Sequence, residues 1–567
     1  MMLPDKPDGD PAEPQIPELP QTASYHEFES AVQALSISSM AAARSCRFSN
    51  PVFLLALAAA LIAFVVQSGE LGTSDTTHRL RSAHSFWTSE PPVLPDEYPE
   101  FGVHGRNGSL QSWFGIGQPI LLLPFDILGT SIDNLTIFAG YGDTDPTVRD
   151  IIVVYLTQIF ITVLTALVCF KLLRNFGFSV NHSVAGVLAF LLATTHLHYT
   201  QNMQENNYIC LLTLIGFAFV HEWVRTGSRR VLLIGTGAFG LNLLTRITTG
   251  MDLIAGILFV FLLLWFDGLR GKVLLHRLRT YAITAIPVFC LFGLLDRIYQ
   301  FRRFGSWTTT YAGLVAKETV ARDPSLPRNW PWTTPWHQGV LGALFSPEKS
   351  IFLFDPLIIL ALILSVLHWR RLQPAVRAYV VASGVMLFFY LSFYARYFAW
   401  AGDFAWGDRY VSTAVELVAL LAIPLLLKYR QEAGKLVWAT GVLLLCAGIL
   451  IQIESLMFWL PLEIYQQETL GHPTWVIALR ARNILAFALG RMQTWGLNNV
   501  AMTQDPWDYV HITTWNFLPF LLRRVGQAPA WAIRTVFAVW CIGLTALAAV
   551  LMRIRTLVIH TSKNRDI

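Results

Sequence analysis

The chain has 567 residues, and only 14% of them are charged, against about 25% in ordinary soluble proteins. Hydrophobic residues make up 54%, and the mean hydropathy is +0.47. This composition excludes a string of soluble domains and predicts an all-α protein that crosses a membrane many times. The net charge of +5 does not indicate nucleic-acid binding, because no basic recognition helix or zinc-ligand spacing accompanies it and cytoplasmic loops of membrane proteins are basic.

Residues 1–46 are rich in Pro, Asp, Glu and Ser and predict a disordered cytoplasmic tail, followed by a multi-span domain over residues 47–567. Twelve apolar runs in this domain are candidate membrane spans. They lie at 51–67, 151–170, 183–198, 207–224, 231–245, 250–266, 280–299, 351–367, 376–395, 411–427, 435–453 and 531–551.

The basic residues predict the orientation of these spans. With a cytoplasmic amino terminus, half of the 42 Lys and Arg fall in the chain ends and short connectors of one side, as the positive-inside rule requires. A further apolar run at 116–128 is short and interrupted by Gly117, Pro119 and Pro124. If it crossed, the later basic connectors would face outward, so we predict a re-entrant or juxtamembrane helix there and place both termini in the cytoplasm.

This topology leaves three long loops on the outer side, at 68–150, 300–350 and 454–530, and loops of this length are usually functional. The motifs that would indicate nucleotide or metal chemistry, such as a Walker loop or HExxH, are missing from the sequence. The six cysteines fall in the tail or in predicted spans, without zinc spacing. We therefore predict no metal site and no required cofactor, although an acidic pair can hold a divalent cation.

Two carboxylates are candidate functional groups, because ionisable residues beside membrane spans are costly. Asp75 follows the first span, in a segment with the apolar spacing of a surface helix and with Ser74 as its predicted N-cap. Glu205 lies in a polar segment between two spans. Each also has a purely structural interpretation: Asp75 pairs with Arg79 one turn later, or Glu205 is a solvated residue of a turn.

Several cations lie on the predicted outer side, against the orientation rule, and close to the ends of spans. Guanidinium groups that converge there suit a phosphate, which they bind bidentately. Alternatively, these cations contact lipid headgroups or form local ion pairs. Arg409, for example, has Asp408 and Asp403 as nearby partners in the sequence. Lys349 has a similar local partner in Glu348. The cations on this side are Arg246, Arg302, Arg303, Lys349 and Arg409.

Several segments resemble, in the same order, motifs of the GT-C superfamily of polytopic glycosyltransferases, which includes protein O-mannosyltransferases and aminoarabinose transferases. The likeness extends over most of the chain after residue 50. The chain departs from the best-known members by carrying Gly115-Ile-Gly-Gln-Pro where they carry a Lys-Pro-Pro run, and by having Glu205 where many have Asp. The matching segments are Asp75, 105–125, Leu244-Thr-Arg-Ile, Arg303-Phe-Gly-Ser with Tyr311, Leu344-Phe-Ser-Pro and 400–410.

The resemblance implies a transferase of the bacterial inner membrane that takes a sugar from a polyprenyl-phosphate carrier and passes it to an acceptor on the outer face. The acceptor is a lipid, a glycan or a protein, and membrane lipids are the other partners. In this chemistry Asp75 is the general base and Glu205 is a second catalytic candidate. The residues that would bind the donor phosphate are Arg246, Arg303, Lys349 and Arg409.

Two other functions stay open. A transporter or lipid flippase would show internal repeats and charges near the middle of the bilayer. The sequence has no clear repeat and few such charges, Glu416 being one, which disfavours transport. An O-antigen polymerase or ligase also acts on lipid-linked glycans with large outer loops, so only the acceptor would distinguish it from the predicted transferase.

Overall fold

The computed structural model describes residues 50–99, 101–139, 146–402, 405–459, 461–468, 471–491, 514–525 and 528–563. The predicted tail at 1–46 lies outside the described residues. Contacts divide the chain into two units, Met1–Phe53 and Leu54–Ile567. The second unit holds every residue of the candidate sites described below.

Among the described residues of the first half, the regular elements are helices apart from one hairpin. Helices dominate because apolar segments that leave water must satisfy their backbone hydrogen bonds internally. The elements are α1 (Pro51–Val65), α2 (Ser74–His84), β1 (Gly102–His104), β2 (Leu110–Ser112), α3 (Gly117–Asp133), α4 (Val148–Asn175), α5 (Val180–Ala193), α6 (His196–Gln201), α7 (Asn206–Thr226), α8 (Arg229–Thr245), α9 (Gly250–Phe266) and α10 (Gly271–Phe304).

In the second half, all regular elements among the described residues are helices. Its elements are α11 (Tyr311–Arg322), α12 (Trp336–Phe345), α13 (Ile351–Phe354), α14 (Leu357–Leu367), α15 (Pro374–Tyr394), α16 (Ser412–Ala419), α17 (Ala422–Lys428), α18 (Gly434–Ser455), α19 (Pro461–Glu468), α20 (Val476–Ala488), α21 (Leu518–Val525) and α22 (Ala530–Lys563).

Seven segments of the described chain are long and apolar enough to cross a membrane. They are α4, α7, Ile247–Phe266, α10, α15, α18 and Ala530–Leu557 within α22. The other five predicted spans coincide with shorter or interrupted helices, so the number twelve stays a prediction. Helices α13 and α14 are separated at Asp355-Pro356, and α16 ends five residues before Pro424. Proline lacks the N–H that continues a helical ladder, and this interrupts runs that are apolar throughout.

The predicted first outer loop is well structured. Helix α2 is present as expected, but its N-cap is Thr73 and not Ser74. Thr73 has extended backbone angles, and its hydroxyl accepts a hydrogen bond from the Thr76 N–H at 3.3 Å. Strands β1 and β2 pair antiparallel, with Val103 opposite Gln111. The run at 116–128 lies in α3 from Gly117 onward, with Ile116 as the N-cap, and α3 packs on α2 and α4. Its position relative to a membrane stays a prediction.

The helix ends come together at one end of the bundle. Helix α7 packs along α8, and α9 packs along α15. Glu205 therefore precedes α7, Arg246 follows α8 and Tyr394 ends α15 at neighbouring positions, beside the start of α2. The loop that precedes α16 brings Arg409 to the same place.

Candidate functional site

Five charged residues from four separate segments form one connected network, called the charge network below. Arg79 Nη1 lies 2.8 Å from Glu205 Oε2, and Arg246 pairs with the other oxygen of the same carboxylate. Arg409 Nη1 donates a hydrogen bond to Asp75 Oδ2 at 3.0 Å. Arg79 Nη2 lies 4.0 Å from that same Asp75 oxygen, which joins the two halves of the network.

Gly72 allows α2 to approach the segment that carries Glu205. Its φ of +83° lies in the left-handed region, and a Cβ added there would lie 2.8 Å from the Asn202 Cα. One turn later, the Thr76 hydroxyl donates to the Met203 carbonyl. These contacts hold the first turn of α2 against residues 202–205 and thereby bring Asp75 close to the arginines.

The segment that carries Arg409 is fixed from two sides. The Asn206 side-chain amide donates to the Arg409 carbonyl at 2.6 Å and to the Ser412 hydroxyl at 2.7 Å. Gly402 has a φ of +77°, and a Cβ there would lie 2.8 Å from the Arg409 Cγ. A side chain at position 402 would displace this arginine, so glycine is required for the observed position of the guanidinium.

Two stacked tyrosines form a wall beside the guanidinium groups. The rings of Tyr394 and Tyr410 lie 4.5 Å apart with an interplanar angle of 9°. The Cζ atoms of Arg246 and Arg409 lie 5.6 and 5.1 Å from the centre of the Tyr410 ring. Arg409 also donates to the Tyr410 hydroxyl at 3.3 Å. Contact with the ring face favours the cations and limits the orientations of both side chains.

The charge network has more arginines than carboxylates and one accessible side. Its five residues, three arginines and two carboxylates, together carry one net positive charge. The side chains of Asp75, Arg409 and Arg246 are 19%, 15% and 12% exposed, whereas those of Glu205 and Arg79 are 6% and 7% exposed. An anion that approaches the network therefore meets Asp75 and two guanidinium groups, while Glu205 and Arg79 lie behind them.

The environment of Glu205 keeps it ionised. Burial by itself would raise the pKa of this carboxyl, but the positive charges of Arg79, Arg246 and Arg409 outweigh burial and hold the pKa well below its ordinary value. Both oxygens of Glu205 are also engaged by guanidinium groups. Glu205 is therefore poorly suited to accept a proton and well suited to orient arginines.

Among the sequence-predicted residues, the structure brings Asp75, Glu205, Arg246 and Arg409 together. Arg303 lies elsewhere: it donates to the Ser112 carbonyl and, at 3.1 Å, to the Gln300 side chain, so it links the end of α10 to β2. The Lys349 Nζ donates to the Ala405 carbonyl at 2.6 Å and is buried. Both cations thus contact backbone carbonyls of neighbouring segments.

The local pairing expected for Asp75 exists but is not its shortest contact, because Arg409 lies closer than Arg79. Of the two carboxylates considered as partners of Arg409, Asp403 lies outside the described residues. Asp408 accepts a hydrogen bond from the Tyr410 N–H at 3.1 Å, and burial raises its pKa to about 7.

Sequence reasoning missed part of the site. It treated Arg79 only as a helix partner of Asp75, although Arg79 also pairs with Glu205. It also did not single out the stacked pair of Tyr394 and Tyr410. The four-residue spacing of Asp75 and Arg79, which places them on one face of α2, was the available signal for the first of these.

Because guanidinium groups engage the charge network's carboxylates, the network is a poor place for a metal ion. Possible metal ligands occur in a different part of the described chain, where His196, Cys210 and Glu416 lie together in the interior.

Comparison with known proteins gives limited matches. No family model matches the chain, and no curated protein matches it. Among solved structures, the chain is similar to the crystal structure of ArnT from Cupriavidus metallidurans bound to undecaprenyl phosphate. That match covers 90% of this chain and 77% of the other, with 13% sequence identity and a TM-score of 0.42. The contacts of the charge network are the stronger basis for a function.

Proposed function

We propose that this chain is an integral membrane glycosyltransferase that moves a sugar from a polyprenyl-phosphate carrier to an acceptor hydroxyl on the outer face of a bacterial inner membrane. The observation that carries the proposal is the convergence of three guanidinium groups beside an accessible carboxylate, Asp75. Transfer from a phosphate-linked donor needs these two functions in one place, a cation for the leaving phosphate and a base for the acceptor. The seven apolar helices and the resemblance of the sequence motifs to GT-C enzymes support a lipid-linked donor.

The donor phosphate binds to Arg409 and Arg246, the two more exposed guanidinium groups of the network. A sugar phosphodiester carries one negative charge, and guanidinium groups bind such a group with two parallel hydrogen bonds. Glu205 acts as a positioning residue, because it orients Arg246 and Arg79 from behind and stays ionised while it does so. This role differs from the catalytic role that the sequence suggested for it.

Arg303 and Lys349 support this site from outside the network. Arg303 holds the β2 strand, and Lys349 holds the chain at Ala405, four residues before Arg409. In this proposal both cations fix the loops around the donor, and neither belongs to the group that contacts its phosphate.

The reaction begins when the donor phosphate and the Asp75 carboxylate compete for the guanidinium group of Arg409. A bound phosphate oxygen accepts from its guanidinium group and weakens the 3.0 Å contact with Asp75. The freed carboxylate takes the proton of the acceptor hydroxyl, whose oxygen attacks the anomeric carbon from the side opposite the phosphate. The bond between the anomeric carbon and the phosphate oxygen breaks, and its electron pair stays on the phosphate. The phosphate charge rises from −1 to −2, and the arginines stabilise this developing charge.

The test uses the purified full-length chain and undecaprenyl phosphate as the probe. Binding is measured by native mass spectrometry for the wild type, for the double variant Arg246→Ala/Arg409→Ala and for Arg302→Ala, a control that removes an exposed arginine near the end of α10. The proposal expects loss of binding in the double variant only. Equal binding by all three proteins would contradict the phosphate site.

A second measurement separates transfer from transport. Mass spectrometry of cell-envelope glycans from a deletion strain identifies the sugar that the chain handles, and vesicles that contain the purified protein then receive the corresponding lipid-linked donor. A transferase consumes the bond between sugar and phosphate when the acceptor is present. Movement of the intact lipid across the vesicle membrane without cleavage of this bond would favour a flippase.

A further inference from the structure

A second polar cluster lies in the interior of the bundle, about one to two helical turns from the charge network. His196 begins α6, Cys210 lies near the start of α7 and Glu416 lies in α16. Their exposures are 0%, 0% and 1%. One ligand atom from each residue can be chosen such that all three lie within 4.8 Å of one another.

The imidazole of His196 is the unusual member of this cluster. Among the described residues, neither its Nδ1 nor its Nε2 has a hydrogen-bond partner, although the ring is fully buried. Buried polar atoms are nearly always paired, and an unpaired one costs about 1–3 kcal/mol. His196 Nδ1 lies 3.8 Å from Glu416 Oε2. That separation is too long for a hydrogen bond but close to the roughly 3.4 Å between two ligand atoms of a tetrahedral zinc ion.

The carboxylate of Glu416 also has incomplete partners. Its Oε1 accepts from the Thr195 hydroxyl at 3.1 Å, but the same hydroxyl lies 3.0 Å from Asp355 Oδ2 and has only one proton to donate. The Cys210 Sγ lies within 4.8 Å of a carboxylate oxygen of Glu416. Within the described part of the chain, no lysine or arginine pairs with Glu416, and burial of uncompensated negative charge is costly.

We propose that His196, Cys210 and Glu416 bind a zinc ion. Zinc takes nitrogen, sulfur and carboxylate oxygen ligands, and three protein ligands with one water molecule complete a tetrahedron. The thiolate and the carboxylate carry two negative charges, which the ion neutralises inside the bundle. Binding releases the thiol proton of Cys210 to solvent. Asp355 is not a ligand, because the Thr195 N–H and hydroxyl engage both of its oxygens, at 2.7 and 3.0 Å.

The chemistry of the ligands selects the ion. A thiolate and an imidazole disfavour Mg²⁺ and Ca²⁺, which prefer oxygen ligands. The three ligands belong to α6, α7 and α16, and the last two helices begin close to Glu205 and Arg409. Zinc would therefore fix the helices that carry the charge network while it lies apart from the proposed reaction.

The test measures metal content and not sugar transfer. The full-length chain is purified in detergent, stripped with a chelator, incubated with zinc and analysed by mass spectrometry for bound metal. We expect about one zinc ion per chain. Cobalt in place of zinc should add a thiolate-to-cobalt absorption band and the visible bands of tetrahedral cobalt.

The variants define the ligand set. Cys210→Ser and His196→Gln should lose the zinc, and Cys210→Ser should lose the thiolate band. Cys169→Ser, which removes an equally buried thiol that is not one of the three proposed ligands, should keep both. Wild-type protein that binds no zinc and gives no tetrahedral cobalt spectrum would overturn the proposal, even if a variant fails to fold. Zinc retained by Cys210→Ser, or lost by Cys169→Ser, would also overturn it. Undecaprenyl phosphate binding is scored separately, so the two proposals can fail independently.

Discussion

Two groups of arginines and carboxylates in this molecule differ in a way that indicates their roles. In the pair formed by Arg480 and Glu463, both side chains are fully buried and joined by two hydrogen bonds of 2.6 Å. The remaining Arg480 Nη1 donates to the Phe458 carbonyl at 2.7 Å, and Asn483 donates to Glu463 at 2.9 Å. This pair is electrically balanced and closed to solvent.

The charge network is neither balanced nor closed. It has three arginines for two carboxylates, and the Asp75, Arg409 and Arg246 side chains keep part of their surface exposed. A balanced, closed pair can only hold structure, whereas surplus charge at an accessible surface can bind an anion. The comparison therefore predicts that substitutions in the first group affect stability and that substitutions in the second affect catalysis.

The largest expected effect is on turnover. Asp75→Asn should lower the rate of sugar transfer by about 10²–10⁴-fold, because the amide cannot take the acceptor proton. The melting temperature in detergent should change little. Asp96→Asn, which neutralises an exposed carboxylate in the same predicted outer loop, serves as the control and should keep the wild-type rate. A rate near wild type in Asp75→Asn would remove this residue from the mechanism.

Arg480→Met should have the largest effect on stability. It leaves Glu463 buried without its partner, which costs about 3–5 kcal/mol in the free energy of unfolding. The double variant Arg480→Met/Glu463→Leu should recover much of this loss, because an apolar pair of similar size fills the same space. Unfolding is followed by chemical denaturation in detergent, and turnover per folded molecule should stay normal. A loss of turnover without a loss of stability would show that the pair of Arg480 and Glu463 serves catalysis and not structure.

Arg246→Lys keeps the charge of the network but loses the planar fork that binds phosphate with two hydrogen bonds. We expect the KM for the donor to rise by about tenfold, or ~1.4 kcal/mol, with a smaller change in kcat. Arg302→Lys, at an exposed position, is the matched control. Steady-state kinetics with varied donor concentration distinguish the two parameters, and an unchanged KM would place the phosphate elsewhere.

The pH dependence of stability tests the role of Glu205. Its folded pKa is depressed, so its stabilising contribution is fully present above the ordinary unfolded value of about 4.3 and is lost as the pH falls below it. The melting temperature of Glu205→Gln should therefore fall less steeply between about pH 5 and 3 than that of the wild type. Glu90→Gln, at a side chain 65% exposed, should follow the wild-type curve. Identical curves for all three proteins would show that Glu205 is not stabilised by the arginines.

Arg303→Lys should have the smallest effect. Arg303 contacts the Ser112 carbonyl and Gln300, so we expect the KM for the donor to change by less than about threefold, or ~0.7 kcal/mol. The same kinetic assay as for Arg246→Lys provides the measurement. A rise in KM as large as that of Arg246→Lys would indicate that Arg303 also contacts the donor phosphate, contrary to the proposed site.

Much of the helical architecture was predictable from hydropathy, because each apolar run coincides with helix in the described chain. The continuity of the helices was less predictable. Counting apolar residues ignores that Pro356 and Pro424 lack the N–H that continues a helical hydrogen-bond ladder. The N-cap was misplaced by one residue, since Thr73 and Ser74 are both suitable caps and only backbone angles distinguish them.

For the site, rules of charge placement selected Asp75, Glu205, Arg246 and Arg409 one at a time. Their mutual contacts could not be predicted, because the contact of Asp75 with Arg409 joins positions 334 residues apart. The same limit applies to the buried pair of Arg480 and Glu463, whose residues gave no signal in the sequence. Contacts of this kind depend on how the helices pack and not on local pattern.

The order of the charged residues along the chain has a consequence for biosynthesis. Asp75, Arg79, Glu205 and Arg246 all leave the ribosome before Arg409. Synthesis adds about 5–20 residues per second, so the delay between Arg246 and Arg409 lasts roughly 10–30 seconds. During it, the four early residues form an electrically neutral set of two arginines and two carboxylates. Only the arrival of Arg409 adds the surplus charge, so a nascent chain that stops before residue 409 has no excess charge with which to hold a lipid phosphate.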